Sequence, residues 1–359
     1  MDKLQSKIRI KDIALKAGVS AGTVDRVLHG RSGVSASSRN KVERILKQLN
    51  YQPNVYASAL AANKQYTFIC LLPKHSIGDY WEEMEFGMKR AAVTFSDFNV
   101  SLQIVYYDQY DPQSFANVGT NIFESHPDGL ILSPIAESET LEALQSFEKA
   151  NIPYVCIDST FPTLNPLSFF GQHAQQSGHF AARILTLLAE GHKEIAIFRL
   201  VYGGKSGSNQ QLEREKGFKE AIQKSHPEIR LLELDLFIEQ PERNERLLDD
   251  FFNRYPEVSC GITFHSRAYL IGEYIQRAQS RNFHLLGYDL IPRNINCLRS
   301  GFIDFLIAQQ PSEQGYGSVE TLCNHLILKK KVKQLHYMPL SLISIENLDF
   351  YINANSNNE

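Results

Sequence analysis

The sequence predicts a small all-α headpiece, a helix-turn-helix, followed by a two-lobed α/β body of doubly wound parallel sheets. Three observations predict it. From Ile10 to Leu49 apolar residues recur only at helical spacing, in three short segments. After Lys64 the period changes, and short apolar runs alternate with amphipathic helical stretches, the pattern of βαβ units. At least nine such strands can be read, more than one sheet of this class comfortably holds, so the body divides into two lobes. The 359 residues, 43% apolar and 21% charged, suffice for two or three globular units.

The first helical segment puts Ile13, Ala14 and Ala17 on one face, and the second does so with Val24, Val27 and Leu28. Between them Gly18 can take the positive φ that ends a helix, and Ser20 is a good N-cap for the next. Two helices locked by such a turn form a helix-turn-helix, whose second helix fits the major groove of DNA; an ordinary helical hairpin is the alternative. Ser35 is the expected N-cap of a third helix carrying Val42, Ile45, Leu46 and Leu49. Tyr51-Gln-Pro-Asn54 and an Ala-rich run from Ala57 to Ala62 follow. Pro53 suits a first helical position, and the run is too short to be stably helical alone.

In order, I-K-D-I-A, A-G-V-S, T-V, R-V-L, V-S, Y-x-P-N and A-x-x-L-A resemble the LacI/GalR family of bacterial repressors across residues 8–62. The resemblance implies that Ala21, Gly22 and Arg26 face base edges, where Arg26 can reach guanine O6 and N7 with two hydrogen bonds. It places Ser20, Thr23, His29, Tyr51 and Asn54 among the DNA-contacting residues. Leu60 matches the family's leucine that wedges between base pairs and kinks the minor groove, and Ala57, one turn earlier, allows close approach. The hinge run is implied to order only when two chains pair on DNA. Asp25 stands where many relatives have Ser, and near phosphates it needs a partner, Arg26 or Arg31.

Charge agrees with this division. Residues 1–64 hold 12 Lys and Arg against 4 Asp and Glu, or +8, whereas the remainder is −11. A basic headpiece on an acidic body fits phosphate contact at one end only. Five cysteines, odd in number, scattered and without Cys-x-x-Cys, read as reduced core thiols. The N-terminus shows no apolar segment, and the His residues show no metal-ligand spacing. These features lead us to expect a cytoplasmic protein with no membrane span, metal or cofactor.

In the body, strands are expected at 67–72, 101–107, 129–132, 153–157, 194–200, 229–235, 259–264, 283–287 and 302–308. The arrangement resembles the periplasmic sugar-binding fold, which implies a ligand cleft at the strand C-termini. Boundaries are expected at 1–50 for the headpiece, 51–64 for the hinge, 65–350 for the body and 351–359 for a polar tail. The lobes are read as 65–161 with 293–309 and 168–289 with 312–350, joined by crossovers near 161–168, 289–292 and 309–311.

Cleft candidates lie just after strands. Asp79, Tyr80 and Trp81 offer a carboxylate and rings suited to the C–H face of a sugar; Trp81 reads equally well as packing at its helix start. The resemblance adds Asp289 in Gly-Tyr-Asp, Arg214 four residues before Phe218, and Gln309, each matching a ligand-contacting position. His265 stands where relatives often carry Asn, and Ser133, Asp158 and Arg267 are further candidates. Enzyme motifs fail: the glycine that a phosphate loop needs before Gly204-Lys-Ser is Arg199, and Ser208 spoils a nucleophile elbow. The expected protein is a transcription regulator, a homodimer or tetramer, binding double-stranded operator DNA and a small effector, most simply a sugar. A sugar-binding protein without gene regulation and a sugar-active enzyme are the alternatives.

Overall fold

The computed structural model describes residues 8–28, 30–51, 55–189, 193–203, 205–206, 208–278 and 283–356. The chain forms two compact units, one ending at Asn63 and the other starting at Lys64.

The first unit holds α1 (Ile10–Ala17), α2 (Ala21–Leu28), α3 (Ala36–Gln48) and α4 (Val55–Ala62). Gly18 takes φ 65° and closes α1, and the Ser20 Oγ accepts from the Thr23 N–H at 3.2 Å to start α2. Ser35 caps α3 by accepting from the Ser38 N–H. Ile13, Ala14, Ala17, Val24, Val27 and Val42 form the headpiece core, with Tyr51 packed against it. The helix α4 buries none of its residues.

In the second unit the strands are β1 (Tyr66–Pro73), β2 (Val100–Tyr107), β3 (Gly129–Leu132), β4 (Tyr154–Ile157), β5 (Ser168–Gly171), β6 (Glu194–Tyr202), β7 (Lys205–Ser206), β8 (Arg230–Phe237), β9 (Cys260–Thr263), β10 (His284–Tyr288), β11 (Phe305–Ala308), β12 (Leu335–Tyr337) and β13 (Ser341–Ile343). Between them run α5 (Tyr80–Thr94), α6 (Pro112–Phe123), α7 (Glu137–Lys149), α8 (Ala174–Leu188), α9 (Asn209–Ser225), α10 (Pro241–Arg254), α11 (Tyr269–Arg277), α12 (Pro292–Arg299) and α13 (Pro311–Leu322), with α14 (Ile345–Ser356) last. One sheet has the order β12-β5-β4-β3-β1-β2, and every pairing in it is parallel. The other runs β13-β11-β10-β9-β6-β7, with β8 also on β6; only β7 and β13 are antiparallel. Parallel strands covered by helices are apolar throughout, as the fully buried β3, β4 and β9 show. The five cysteines are buried and free.

The crossovers differ from two of the three expectations. Ser168–Gly171 is a strand of the first sheet, so the chain leaves that lobe at Gln172–His173 and not at 161–168. A four-residue apolar run carries too little periodicity to separate a strand from a connection. At 289–292 the chain does not cross at all. Pro292 opens α12, where its missing N–H costs nothing, and β11 returns beside β10. The crossing at 309–311 is present, but it leads into the first lobe, since α13 packs on α5 and β12 pairs with β5. The third crossing, residues 338–340, links two strands of three residues each. The lobes are therefore 64–171 with 311–337 and 174–308 with 341–356.

Each lobe contains one helix pair packed at backbone distance. A Cβ on Gly87 of α5 would lie 1.9 Å from the Ser312 carbonyl oxygen, and one on Gly315 of α13 would lie 2.1 Å from that of Met84. In the other lobe, Gly178 of α8 and Gly217 of α9 are equally tight against the carbonyls of Arg214 and Gln175. Gly315→Val is expected to lower the body's stability by more than about 2 kcal/mol, because rigid backbone must move to admit the side chain. Calorimetry would show the body's transition falling while the headpiece keeps its own; an unmoved body transition would sink the packing argument.

Candidate functional site

On the headpiece, α2 turns Val24 and Val27 inward and leaves Ala21, Gly22 and Arg26 exposed on the other side. The Ser20 and Thr23 hydroxyls lie 3.0 Å apart at the helix start. Asp25 pairs with Arg31 at 3.3 Å, so the acid on this face has its cation. Tyr51 is half-buried against the core, and Ala57 and Leu60 are exposed on α4. His29 and Asn54, with Pro53, lie outside the described residues.

In the body, Asp79, Tyr80, Trp81, Ser133, Asp158, Arg214, His265, Asp289 and Gln309 all line one cleft of about 600 Å³ between the lobes, and Arg267 lines it too. Parallel strands explain the convergence, because the C-termini of all the mutually parallel strands of a lobe open on the same edge. Asp158 and Asp289 leave β4 and β10 with φ of 61° and 71°, a left-handed turn that Asp tolerates. That turn aims a carboxylate from each lobe at the cleft.

Arg214 organises the floor. Its Nη1 donates to the Phe264 carbonyl at 3.2 Å, its Nη2 donates to Gln309 Oε1, and its guanidinium lies 4.2 Å over the Tyr288 ring. Gln309 passes the contact on, donating from Nε2 to Asp289 Oδ1 at 2.6 Å. In the first lobe Tyr80 donates to Asp158 Oδ1 at 3.0 Å, and its ring meets Trp81 edge to face at 5.1 Å. Trp81 thus packs at its helix start and also faces the cleft. His265 Nδ1 accepts from the Arg267 N–H at 3.1 Å, which puts its proton on Nε2. Among the described residues, that Nε2, Gln210 Nε2 and Arg214 Nε are buried donors that meet no hydrogen-bond acceptor.

Several cleft residues escaped the sequence reading. Tyr110, following β2, stacks on Tyr202 at the end of β6, with centroids 4.4 Å apart and planes at 26°, so one ring comes from each lobe. Asn209 reaches across elsewhere, donating to Ser159 Oγ at 3.2 Å. Gln109 and Gln210 also line the cleft. Tyr110 obeys the after-a-strand rule that found the others, and Gln210 stands one turn before Arg214 on the same face of α9. Tyr202 was hidden inside an apolar run that continued as strand.

Two family models match the chain, a periplasmic binding protein domain over residues 69–331 and the lacI family of bacterial regulatory proteins over residues 9–54. A solved LacI transcriptional regulator from Bacteroides fragilis is 47% identical, with TM-score 0.78, over 80% of this chain and 100% of that one. The fold also matches GanP, a glucose-galactose binding protein from Geobacillus stearothermophilus, at 22% identity and TM-score 0.68, over 79% of this chain and 99% of that one. Catabolite control protein A of Staphylococcus aureus is 29% identical over 148 residues, which are 41% of this chain and 43% of that relative's length. Among the described residues no helix is long and apolar enough to cross a membrane.

Burial governs the charges in the cleft. Desolvation pushes the Asp289 carboxyl up to about 7; Arg214 and the Gln309 N–H pull against it, and Asp158 adds to the rise. Asp158 is raised as well, again by burial first and against the pull of Arg214. His265 is pushed down to about 3 by burial and then by Arg267, so it is a neutral donor. From its ordinary value of 3.8 up to about 7, folded Asp289 keeps a proton that the unfolded chain has released. Its contribution to stability is therefore full below about pH 4 and lost as the pH rises through about 7. Relative to Asp289→Asn, the wild-type protein is expected to lose on the order of 4 kcal/mol over that window, measured by urea unfolding at each pH. A difference that does not change with pH would refute the buried-carboxyl assignment.

Proposed function

The chain belongs to the LacI family of bacterial regulatory proteins, and on that premise we propose that it is a sequence-specific DNA-binding repressor whose operator affinity is set by a small sugar in the interlobe cleft. It acts in the cytoplasm, as a homodimer at least. The observation that carries this reading is one chain holding both an exposed Arg26 face on α2 and a two-lobed cleft with a carboxylate from each lobe.

With α2 in the major groove, Arg26 makes two hydrogen bonds to a guanine, and Ala21 and Gly22 let the helix approach closely. Ser20 and Thr23 hold the register on phosphates. The helix α4, which buries nothing within this chain, pairs with that of a second copy, and Leu60 enters the minor groove. In the cleft, ligand hydroxyls donate to Asp158 and Asp289 and accept from Arg214, while Tyr80 and Trp81 face the ring. The glucose-galactose specificity of the GanP neighbour supports a sugar as the ligand class. Ligand binding changes how the lobes close. That closure reaches α4 through β1, with a coupling of about 1–3 kcal/mol between ligand and DNA.

The test is to select an operator from a randomised duplex pool and titrate it with protein in the presence and absence of mono- and disaccharides, sugar alcohols, sugar acids and sugar phosphates. Arg26→Ala is expected to weaken operator binding by about 1–3 kcal/mol and to relax preference at one base pair. Arg214→Ala is expected to leave operator binding in place and abolish the response to the active sugar. Failure to enrich any sequence would remove the regulatory reading, and an unaltered sugar response in Arg214→Ala would remove the cleft assignment.

A further inference from the structure

The cleft sorts its hydrogen-bonding groups by kind. Arg214, Gln210 and His265 are 2%, 5% and 3% exposed, and all three line the cleft. Gln210 and Arg214 stand one turn apart on α9. His265 follows β9 next to Phe264, whose carbonyl accepts from Arg214 Nη1 at 3.2 Å. On this side Arg214 Nε, Gln210 Nε2 and His265 Nε2 are donors that meet no acceptor among the described residues. The acceptors of the cleft lie elsewhere. Asp289 follows β10 on the far side of Gln309, and Asp158 follows β4 in the other lobe.

The charge of Arg214 points the same way. Two of its five N–H groups are used, and both go to neutral oxygens, those of Phe264 and Gln309. Among the described residues it forms no ion pair, and Asp158 and Asp289 act on it only at longer range. A buried cation ordinarily has an anion against it. Three donors need at least two hydroxyl oxygens, each turned to accept, whereas one carboxylate is acceptor-only and has about four lone-pair sites. Its bonds to N–H groups are also the stronger ones. A phosphate, with a charge near −2, would overbalance a single guanidinium. Burial raises both Asp158 and Asp289, the latter to about 7, so near neutral pH they oppose an anion with less than two full charges.

We infer that the cleft takes a sugar acid, whose carboxylate meets Arg214 Nε, Gln210 Nε2 and His265 Nε2 and whose hydroxyls donate to Asp158 and Asp289. The inference rests on the reading of the cleft as a sugar site and names the class within it. Gln210 and His265 are then the residues that set specificity, because they turn a guanidinium that also suits neutral sugars into a three-sided cradle for an anion.

The test is calorimetric titration of the full chain with D-glucose, D-galactose and D-mannose, each beside its uronate, its aldonate and its 6-phosphate. One of the acids is expected to bind about tenfold or more tighter than its neutral parent and its phosphate. The primary amide of that acid keeps the shape, loses the charge and should lose about the same factor. Gln210→Glu sets a carboxylate where the amide donates, and it should weaken the acid by about tenfold or more. The amide comparison needs no substitution, so it decides even where the variant fails to fold. A parent sugar or a phosphate that binds as tightly as its acid overturns the inference and leaves the sugar reading standing. Undiminished binding of the amide, or of the acid to folded Gln210→Glu, overturns it too. If no member of the set binds, the sugar reading itself fails and the inference with it, which is a distinguishable result.

Discussion

The cleft depends on one buried cation. Arg214 is 2% exposed and carries a full charge into the interior, a placement tolerated only where the surroundings compensate it. The compensation is spread over both sides of the site: the Phe264 carbonyl, the Tyr288 ring, Gln309 and, at longer range, Asp158 and Asp289. Its backbone has no freedom either, because Gly178 of α8 lies against its carbonyl with no space for a Cβ. A fixed guanidinium then sets the amide of Gln309, with its oxygen toward Arg214 and its nitrogen toward Asp289. The two carboxylates stay only partly compensated, which is why desolvation dominates their titration and why both have spare capacity for donors.

The same economy appears at the junction of the lobes. The Gln172 side chain donates from Nε2 to the Ala308 and Pro339 carbonyls, each at 2.9 Å. Those three residues lie on or directly beside the three crossing strands, so one buried amide ties all the connections together. A rotation about that tie keeps both carbonyls bonded, whereas a translation would leave them without donors. The Tyr110–Tyr202 stack and the Asn209–Ser159 bond hold the lobes together from elsewhere along the cleft. On the regulatory reading proposed above, a pivot with separate clasps is the arrangement that ligand-selected closure requires.

Much of this was readable without coordinates, for identifiable reasons. The headpiece was legible because its signals are local: Gly18, Ser20 and Ser35 each act within four residues, and the need of Asp25 for a cation was readable too, although the choice of Arg31 over Arg26 came only from the structure. Part of the cleft lining was legible because parallel sheets bring the loops after their strands to one edge, so Ser133 and Asp158 could be picked by position, whereas Asp289, Gln309 and Arg214, the last within α9, came from the resemblance. What stayed hidden depends on partners distant in the chain. β5, β12 and β13 have three or four residues each, and only their neighbours make them strands. Without them the crossovers could not be counted correctly, and stretches 293–308 and 312–337 were assigned to the wrong lobes. Tyr110 and Tyr202 are 92 residues apart, and nothing local says that their rings meet.

The hinge completes the physical logic. An eight-residue helix with no buried residue gains little from its own hydrogen bonds and is marginal in isolation. Its Val55, Leu60 and Ala61 are exposed apolar residues, and that surface can be satisfied by a second copy or by a groove in DNA. Marginality is what makes such an element controllable. A lobe rotation worth about 1–3 kcal/mol cannot unfold a stable core helix, but it can shift the population of one poised near balance by roughly tenfold. A rigid, over-determined cleft and an under-stabilised hinge are therefore complementary requirements. On the regulatory reading proposed above, the first makes the ligand's interaction energy specific, and the second makes a small share of that energy sufficient at the DNA.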